Sequence, residues 1–288
     1  MNVIVTVLTV FAVLLILYLY LVMPRVINRP DTSVFDGRLF AHRGLHDNLS
    51  DAPENSMKAF RLAVENGFGI ELDVQLSKDG IPAVIHDFNL KRACGIDRRV
   101  DECTFDELSA IKLFGSEETV PAFKDVLDLV NGKVPLIIEV KSESTDTSVC
   151  SIIWEILKDY KGKYCVESFN PLAIRWFRKN EPQVMRGQLS DGFIYMKELR
   201  AFPKVFFYGA LQFLLSHHLS RPDFVAYNWH YEANPSRRLV RKLFRLPCAA
   251  WTIKSSGELE AMKDRFDVFI FDSFVPDKES AGQFINKA

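Results

Sequence analysis

The stretch LFAHRGLHDNLSDAPENSMKAF, Leu39 to Phe60, runs from an apolar segment into His42, Arg43 and Gly44, then through Glu54 and Asn55 into the start of a helix. A short apolar run ending in a polar tip reads as a buried strand whose end opens into a loop. In parallel α/β sheets, ligands gather at those carboxyl ends. The fold therefore turns on how many other strands bring polar tips to the same end.

Downstream, short β-branched runs alternate with helical patterns, which is the signature of βα repeats around a parallel sheet. The runs are RLFAHR, GIELDV, VPLIIEVK, YCVESF, VMRGQLS, DFVAYNW, CAAWTI and VFIFDSF, with a closing helix expected from Pro276 onward. That count predicts an α/β fold, a (β/α)8 TIM barrel. Its catalytic rim would collect His42, Arg43, Glu71, Asp73, Glu139, Lys141, Ser168, Gln188, Asn228, Trp251 and Asp272. One segment breaks the alternation. After IELDVQLSK, the pair Asp79-Gly80 signals a two-residue hairpin turn leading into IPAVIHD. This predicts a β-hairpin insertion after the second strand, with Lys78 facing Ile81 and Asp73 facing His86. Glu71 and Asp73 share a strand face by the two-residue period, so both carboxylates would approach His86.

Outward from the barrel, the 288 residues are 48% hydrophobic, enough to bury the core of one large barrel. The formal net charge is -1, and no arginine-rich tract is present, which argues against nucleic acid as a partner. Five scattered cysteines without C-x-x-C spacing read as reduced packing thiols rather than a disulfide framework or a zinc site. Val3 to Met23 carries no charge and has the length of about 20 residues that a membrane-spanning helix needs. It lacks the basic n-region and small-residue cleavage site of a signal peptide, so the reading is a single N-terminal membrane anchor. Arg25 and Arg29 follow the span while the N-terminal tail has no Lys or Arg, which places the catalytic domain in the cytoplasm. The expected organisation is an anchor over 1–24, a linker over 25–36 and the barrel over 37–288.

The rim residues have a chemistry of their own. Glu71, Asp73 and Glu139 form an oxygen-rich cluster of like charges that a hard divalent cation, Mg²⁺ or Ca²⁺, would neutralise. Arg43 and Lys141 beside it suit a phosphate. His42 and His86 supply two groups that exchange protons near neutral pH. Together these suggest metal-assisted phosphodiester cleavage. Asp87 reads as a hairpin turn residue and Asp272 as a last-strand turn residue, so neither is placed in the catalytic set. Ser168 reads as a rim hydrogen-bonder, since ESFN lacks the glycine elbow of a serine hydrolase. Trp251 reads as a wall against the substrate. The other histidines, His46 among them, read as solvent-exposed or core residues.

At this point the chain resembles the glycerophosphodiester phosphodiesterase family. The resemblance rests on AHRG at 41–44, PENS at 53–56, ELD at 71–73, HD at 86–87, EVK at 139–141 and SF at 168–169, in order and spacing. It implies that Glu71, Asp73 and Glu139 hold the metal, with Glu54 joining them or orienting Arg43, and that His42 and His86 are the general acid/base pair. It further implies attack by the glycerol 2-hydroxyl on phosphorus, a cyclic phosphate opened by water, and glycerol 3-phosphate with an alcohol as products. Alternatives are a membrane-associated lysophospholipase D on the same barrel, taking a lysophospholipid, and a non-catalytic receptor for phosphorylated lipid. FPKVFFYGALQFLLSHHL, Phe202 to Leu219, is more apolar than an outer barrel helix needs and too short to cross a bilayer. It packs on the barrel or lies in the membrane surface.

Overall fold

The computed structural model of the chain describes residues 2–32, 35, 39–196 and 203–277. Its strands are β1 (Leu39–His42), β2 (Gly69–Leu76), β3 (Pro82–Val84), β4 (Leu136–Val140), β5 (Tyr164–Ser168), β6 (Arg186–Ser190), β7 (Phe224–Asn228), β8 (Cys248–Ile253) and β9 (Val268–Phe271). All but β3 are parallel. They follow the order β1-β9-β8-β7-β6-β5-β4-β2, and pairing of β1 with β2 closes the barrel. Every strand expected from the apolar runs is present. The closing helix after Pro276 falls almost wholly outside the described residues.

The helices are α1 (Val3–Val22), α2 (Met57–Asn66), α3 (Lys91–Cys94), α4 (Phe105–Ser109), α5 (Phe123–Val130), α6 (Ser148–Leu157), α7 (Pro171–Asn180), α8 (Lys204–Gln212), α9 (His217–Ser220), α10 (Pro235–Phe244) and α11 (Ser256–Met262). Helix α2 shows why PENS precedes it. The Ser56 hydroxyl accepts from the Ala59 amide, satisfying one of the orphan donors of the first turn, and Gly67 ends the helix at φ +74.

The two-residue period divides the strand side chains between a barrel interior and a strand–helix layer. Phe40, Ile137, Cys165, Phe224, Ala249 and Val268 fill the lower interior, and Phe35 plugs it from beneath. Two glycines make room for the large rings. Gly69 pairs with Phe40 and Gly187 with Phe224, and a Cβ on either would stand 2.5 Å and 2.2 Å from the partner ring.

The hairpin differs from expectation by one residue. Leu76 pairs with Pro82, and the Ser77 amide donates to the Ile81 carbonyl, so the loop is Lys78-Asp79-Gly80, with Gly80 at φ +77. The Ser77 hydroxyl donates to Asp79 at 2.6 Å and accepts from the Ile81 amide, which favours the longer turn over the two-residue one. Asp73 consequently faces Ile85, whose amide donates to the Asp73 carbonyl, and not His86. Beyond β3, the insertion builds a small core of its own from Ile85, Leu90, Val100, Leu108, Leu113 and Val120.

Helix α1 is docked at its carboxyl end. The His217 ring bonds the Val22 carbonyl at 3.1 Å, Arg221 donates to the carbonyls of Tyr20 and Met23, and the Tyr18 hydroxyl meets Ser236 at 2.8 Å. Residues 25–32, part of the stretch 25–36 read as a linker, run along the barrel floor. The Arg25 guanidinium donates to the Pro182 carbonyl and lies 3.6 Å from buried Asp223, while Arg29 donates to the Arg245 carbonyl.

Candidate active site

The upper interior of the barrel is polar. His42, Glu71, Glu139, Glu167, Trp251 and Asp272 line one cavity of about 450 Å³, together with Arg43, Glu54 and His86 from loops. The alternation that sends Phe40, Ile137 and Cys165 into the lower interior sends His42, Glu139 and Glu167 into the upper one, two residues further along each strand.

Arg43 and Asn55 both adopt left-handed backbone, at φ 55 and 56, and are tied together where the Asn55 amide donates to the Arg43 carbonyl. Such conformations are costly for residues other than glycine and persist where several bonds enforce them. Here the Arg43 amide donates to Glu71 Oε2 at 3.0 Å, and Asn55 Nδ2 donates to Asp73 Oδ2 at 2.9 Å. Gly44 follows at φ +83, where a Cβ would stand 2.9 Å from the Ala59 backbone. The HRG and PENS segments are thus one loop clamp around the β2 carboxylates.

Oxygens of Glu71, Asp73 and Glu139 lie within 4.8 Å of one another, all buried. Burial first, then the neighbouring charges of Asp73, Glu139 and Glu167, raises the Glu71 carboxyl well above the ordinary range. Asp73 is held well below it, because Lys141, His86 and Arg43 outweigh its burial. Lys141 Nζ stands 3.1 Å from Asp73 and 2.9 Å from Glu139. The donor set is hard oxygen in a crowded, charge-strained cluster, which fits a hard divalent cation. Arg43 Nε is buried 3.5 Å from Asp73 Oδ2, an ion pair that holds the guanidinium beside the acidic cluster.

Of the two roles expected for Glu54, the geometry supports the second. It bonds Arg43 at 2.7 Å and receives two further bonds from Arg92 and one from Asn48. Burial opposes its ionisation, but the Arg92 bonds and the Arg43 charge bring its carboxyl down to about 2.

Both histidines have carboxylate partners that the sequence reading left out. His42 Nδ1 lies 3.1 Å from Asp272, and His86 Nδ1 lies 2.6 Å from Asp87. Both carboxyls are held below the ordinary range despite partial burial, chiefly through those histidine bonds. An ionised carboxylate only accepts, so each Nδ1 carries the proton and each Nε2 is left for the substrate. Burial, reinforced by the Arg43 charge, pushes His42 down to about 4 against the pull of Asp272. The signal for both partners was local: Asp87 is adjacent to His86, and Asp272 is the inward residue two beyond Ile270.

Ser168 makes hydrogen bonds at the end of β5, but neither it nor Gln188 lines the cavity. Each points away from the cavity by the two-residue period. The Ser168 hydroxyl donates to the Val140 carbonyl at 2.7 Å, and the Gln188 amide donates to the Ser168 carbonyl. The residue that enters from β5 is Glu167, with one buried oxygen unpartnered and its carboxyl raised well above the ordinary range, chiefly by burial. His46 also lines the cavity, bonded to the His42 carbonyl at 2.9 Å. Trp251 lines the cavity, with Phe169 edge-on at 5.7 Å.

The structure is thus a closed parallel TIM barrel carrying acidic, basic and imidazole groups at one rim. Residues 42–270 match the model of the glycerophosphoryl diester phosphodiesterase family, and the chain belongs to that family. It is similar to the glycerophosphodiester phosphodiesterase of Bacillus altitudinis, 32% identical over 174 residues, covering 56% of this chain and 70% of the relative. That of Caldanaerobacter subterraneus is 33% identical over 162 residues, covering 52% and 65%. The fold matches that of an Oleispira antarctica phosphodiesterase in complex with the product sn-glycerol-3-phosphate, at a TM-score of 0.67 and 20% identity over 86% of this chain and 98% of that one.

Proposed function

We propose that the chain hydrolyses glycerophosphodiesters to glycerol 3-phosphate and an alcohol through a divalent cation, Mg²⁺ or Ca²⁺, and two carboxylate-paired histidines. The observation that carries this reading is the pair of Nδ1–carboxylate bonds, which point two Nε2 atoms at a cavity shared with a cation-ready acidic cluster. Glu71, Asp73 and Glu139 would hold the cation, which neutralises charge on the phosphoryl oxygens. Arg43, steadied by Glu54, and Lys141 bind the phosphate from the protein side. His42, neutral at pH 7, takes the proton of the glycerol 2-hydroxyl, whose oxygen bonds phosphorus as the ester oxygen leaves and receives a proton from Nε2 of His86, which enters this step as the imidazolium. Asp272 stabilises the imidazolium as it forms, which offsets the weak basicity that burial imposes on His42. In the second half His86 takes a proton from water, the water oxygen bonds phosphorus, and the 2-oxygen departs with the proton held by His42. Helix α1 anchors the enzyme in the membrane, with the barrel on the cytoplasmic side that Arg25 and Arg29 select. Lysophospholipids are within reach of the same chemistry, because a single acyl chain on the glycerol 1-position leaves the 2-hydroxyl free.

Phosphorus NMR of a glycerophosphoethanolamine digest tests the route. A transient cyclic glycerol phosphate is expected, and a matching diester of 1,3-propanediol, which lacks the neighbouring hydroxyl, should persist uncleaved. Cleavage of both diesters at similar rates would overturn attack by the 2-hydroxyl.

A further inference from the structure

Among the described residues, several of the large apolar side chains left exposed outside α1 lie on segments that follow the carboxyl ends of strands, whereas Val26, Ile27 and Leu243 are exposed toward the opposite end. Leu49, in the loop after β1, is 98% exposed; Val275, after β9, is 60%; Tyr195, after β6, is 56%; Phe206 and Phe207, on α8, are 69% and 59%. All follow the carboxyl ends of strands, the end that carries the active site. An aromatic row joins this surface to the cavity. Trp251 and Phe169, both lining the cavity, meet edge-on; Phe169 touches Phe193, Phe193 touches Tyr208, and Tyr208 touches Phe207, with ring centres 5.3 to 5.9 Å apart throughout.

The docking of α1 gives the direction of the membrane independently. Arg25 meets Pro222 and Asp223 at the start of β7, which is the floor. Earlier in the chain, Tyr18 meets Ser236 in the first turn of α10, which begins at the rim. Continued toward its amino end, α1 therefore rises past the rim and leaves the barrel on the active-site side. Its exposed portion, Val3 to Leu17, is about 22 Å of helix. A bilayer's hydrocarbon core is about 30 Å thick. So short a free span leaves little slack between the rim and the bilayer.

We propose that the catalytic rim itself rests on the lipid surface, through Leu49, Phe206, Phe207 and Val275, and that the pocket takes glycerophospholipids with a single acyl chain directly from it. This rests on the reading of α1 as a membrane helix. Exposed aromatic and aliphatic side chains at an interface are stabilised by burial among headgroups and upper acyl chains. The aromatic row offers the acyl chain an apolar path while the phosphate reaches Arg43.

The test uses the full chain, with Cys94→Ser to remove the half-exposed thiol, in phosphatidylethanolamine/phosphatidylglycerol nanodiscs containing doxyl lipids. A polarity-sensitive fluorophore is placed by Leu14→Cys, Leu49→Cys or Ile27→Cys, reporting the helix, the rim and the floor. The expected result is strong quenching at Leu14 and Leu49 and at least fivefold weaker quenching at Ile27. Quenching at Leu14 with Ile27 equal to or above Leu49 overturns the orientation while leaving the membrane helix intact. No quenching at Leu14 removes the membrane helix and the proposal with it. In parallel, Phe206→Ser combined with Phe207→Ser should lower turnover of vesicle-borne lysophosphatidylethanolamine at least fivefold and leave glycerophosphoethanolamine turnover unchanged. Equal effects on the two substrates overturn the proposed delivery from lipid.

Discussion

At the scale of single residues, the site is governed by how the β2 and β4 carboxylates share charge. Burial, then the charges of Asp73, Glu139 and Glu167, raises the Glu71 carboxyl well above the ordinary range. A carboxyl raised in the folded state contributes stability that is present below its unfolded value and is lost as pH rises through the folded value. A divalent cation competes with the proton for such a carboxylate, so its binding strengthens as pH rises. The rise in Tm on adding millimolar Mg²⁺ or Ca²⁺ should therefore be larger at pH 8 than at pH 6. Glu71→Gln should reduce the rise at pH 8 to under half. An equal rise at both pH values would show that no proton is displaced. Sequence alone gave the residue types of this cluster and their shared strand face. It missed Asp272 because a lone aspartate after a strand is indistinguishable from a turn residue until His42, distant in the chain, is placed beside it, whereas Asp87 stood next to its histidine and still read as a turn.

At the scale of elements, eight strands were readable from runs such as LIIEV and FVAYN, because a doubly buried parallel strand must be continuously apolar. Which face each residue took was less readable. A one-residue change in phase exchanges the two faces, and that is the difference between Ser168 and Glu167. The hairpin register failed for a related reason. Asp79-Gly80 suits two turn types, and the Ser77 hydroxyl, bonded to both Asp79 and Ile81, favours the longer one. The paired small and large residues inside the barrel give an energetic test. Gly187→Ala would place its Cβ 2.2 Å from the Phe224 ring, a contact that only displacement of the ring relieves. Overpacking of this kind costs about 1 to 3 kcal/mol. Urea unfolding should show that loss for Gly187→Ala, and Phe224→Leu in the same chain should recover part of it. A loss unaltered by Phe224→Leu would place the strain elsewhere.

At the scale of the whole molecule, the apolar N-terminal helix and the barrel were legible as separate pieces, whereas their junction was not. Nothing in a run of apolar residues marks where such a helix begins to pack on protein. Here that boundary falls at Tyr18, and the arginines expected simply to flank the span bond the barrel floor instead. The central claim for the molecule is cation-dependent cleavage by the His42 and His86 pair. Its most direct measurement is release of glycerol 3-phosphate from glycerophosphoethanolamine by the full chain, stripped of metal with EDTA and then resupplied with Mg²⁺ or Ca²⁺. His42→Ala and His86→Ala are assayed beside it. The account predicts no release without cation, recovery with one of the two, and a loss of about 10²-fold to 10⁴-fold in each variant, the usual contribution of a general acid or base. Release that survives EDTA, or a variant of either histidine that cleaves at the full rate, would contradict it.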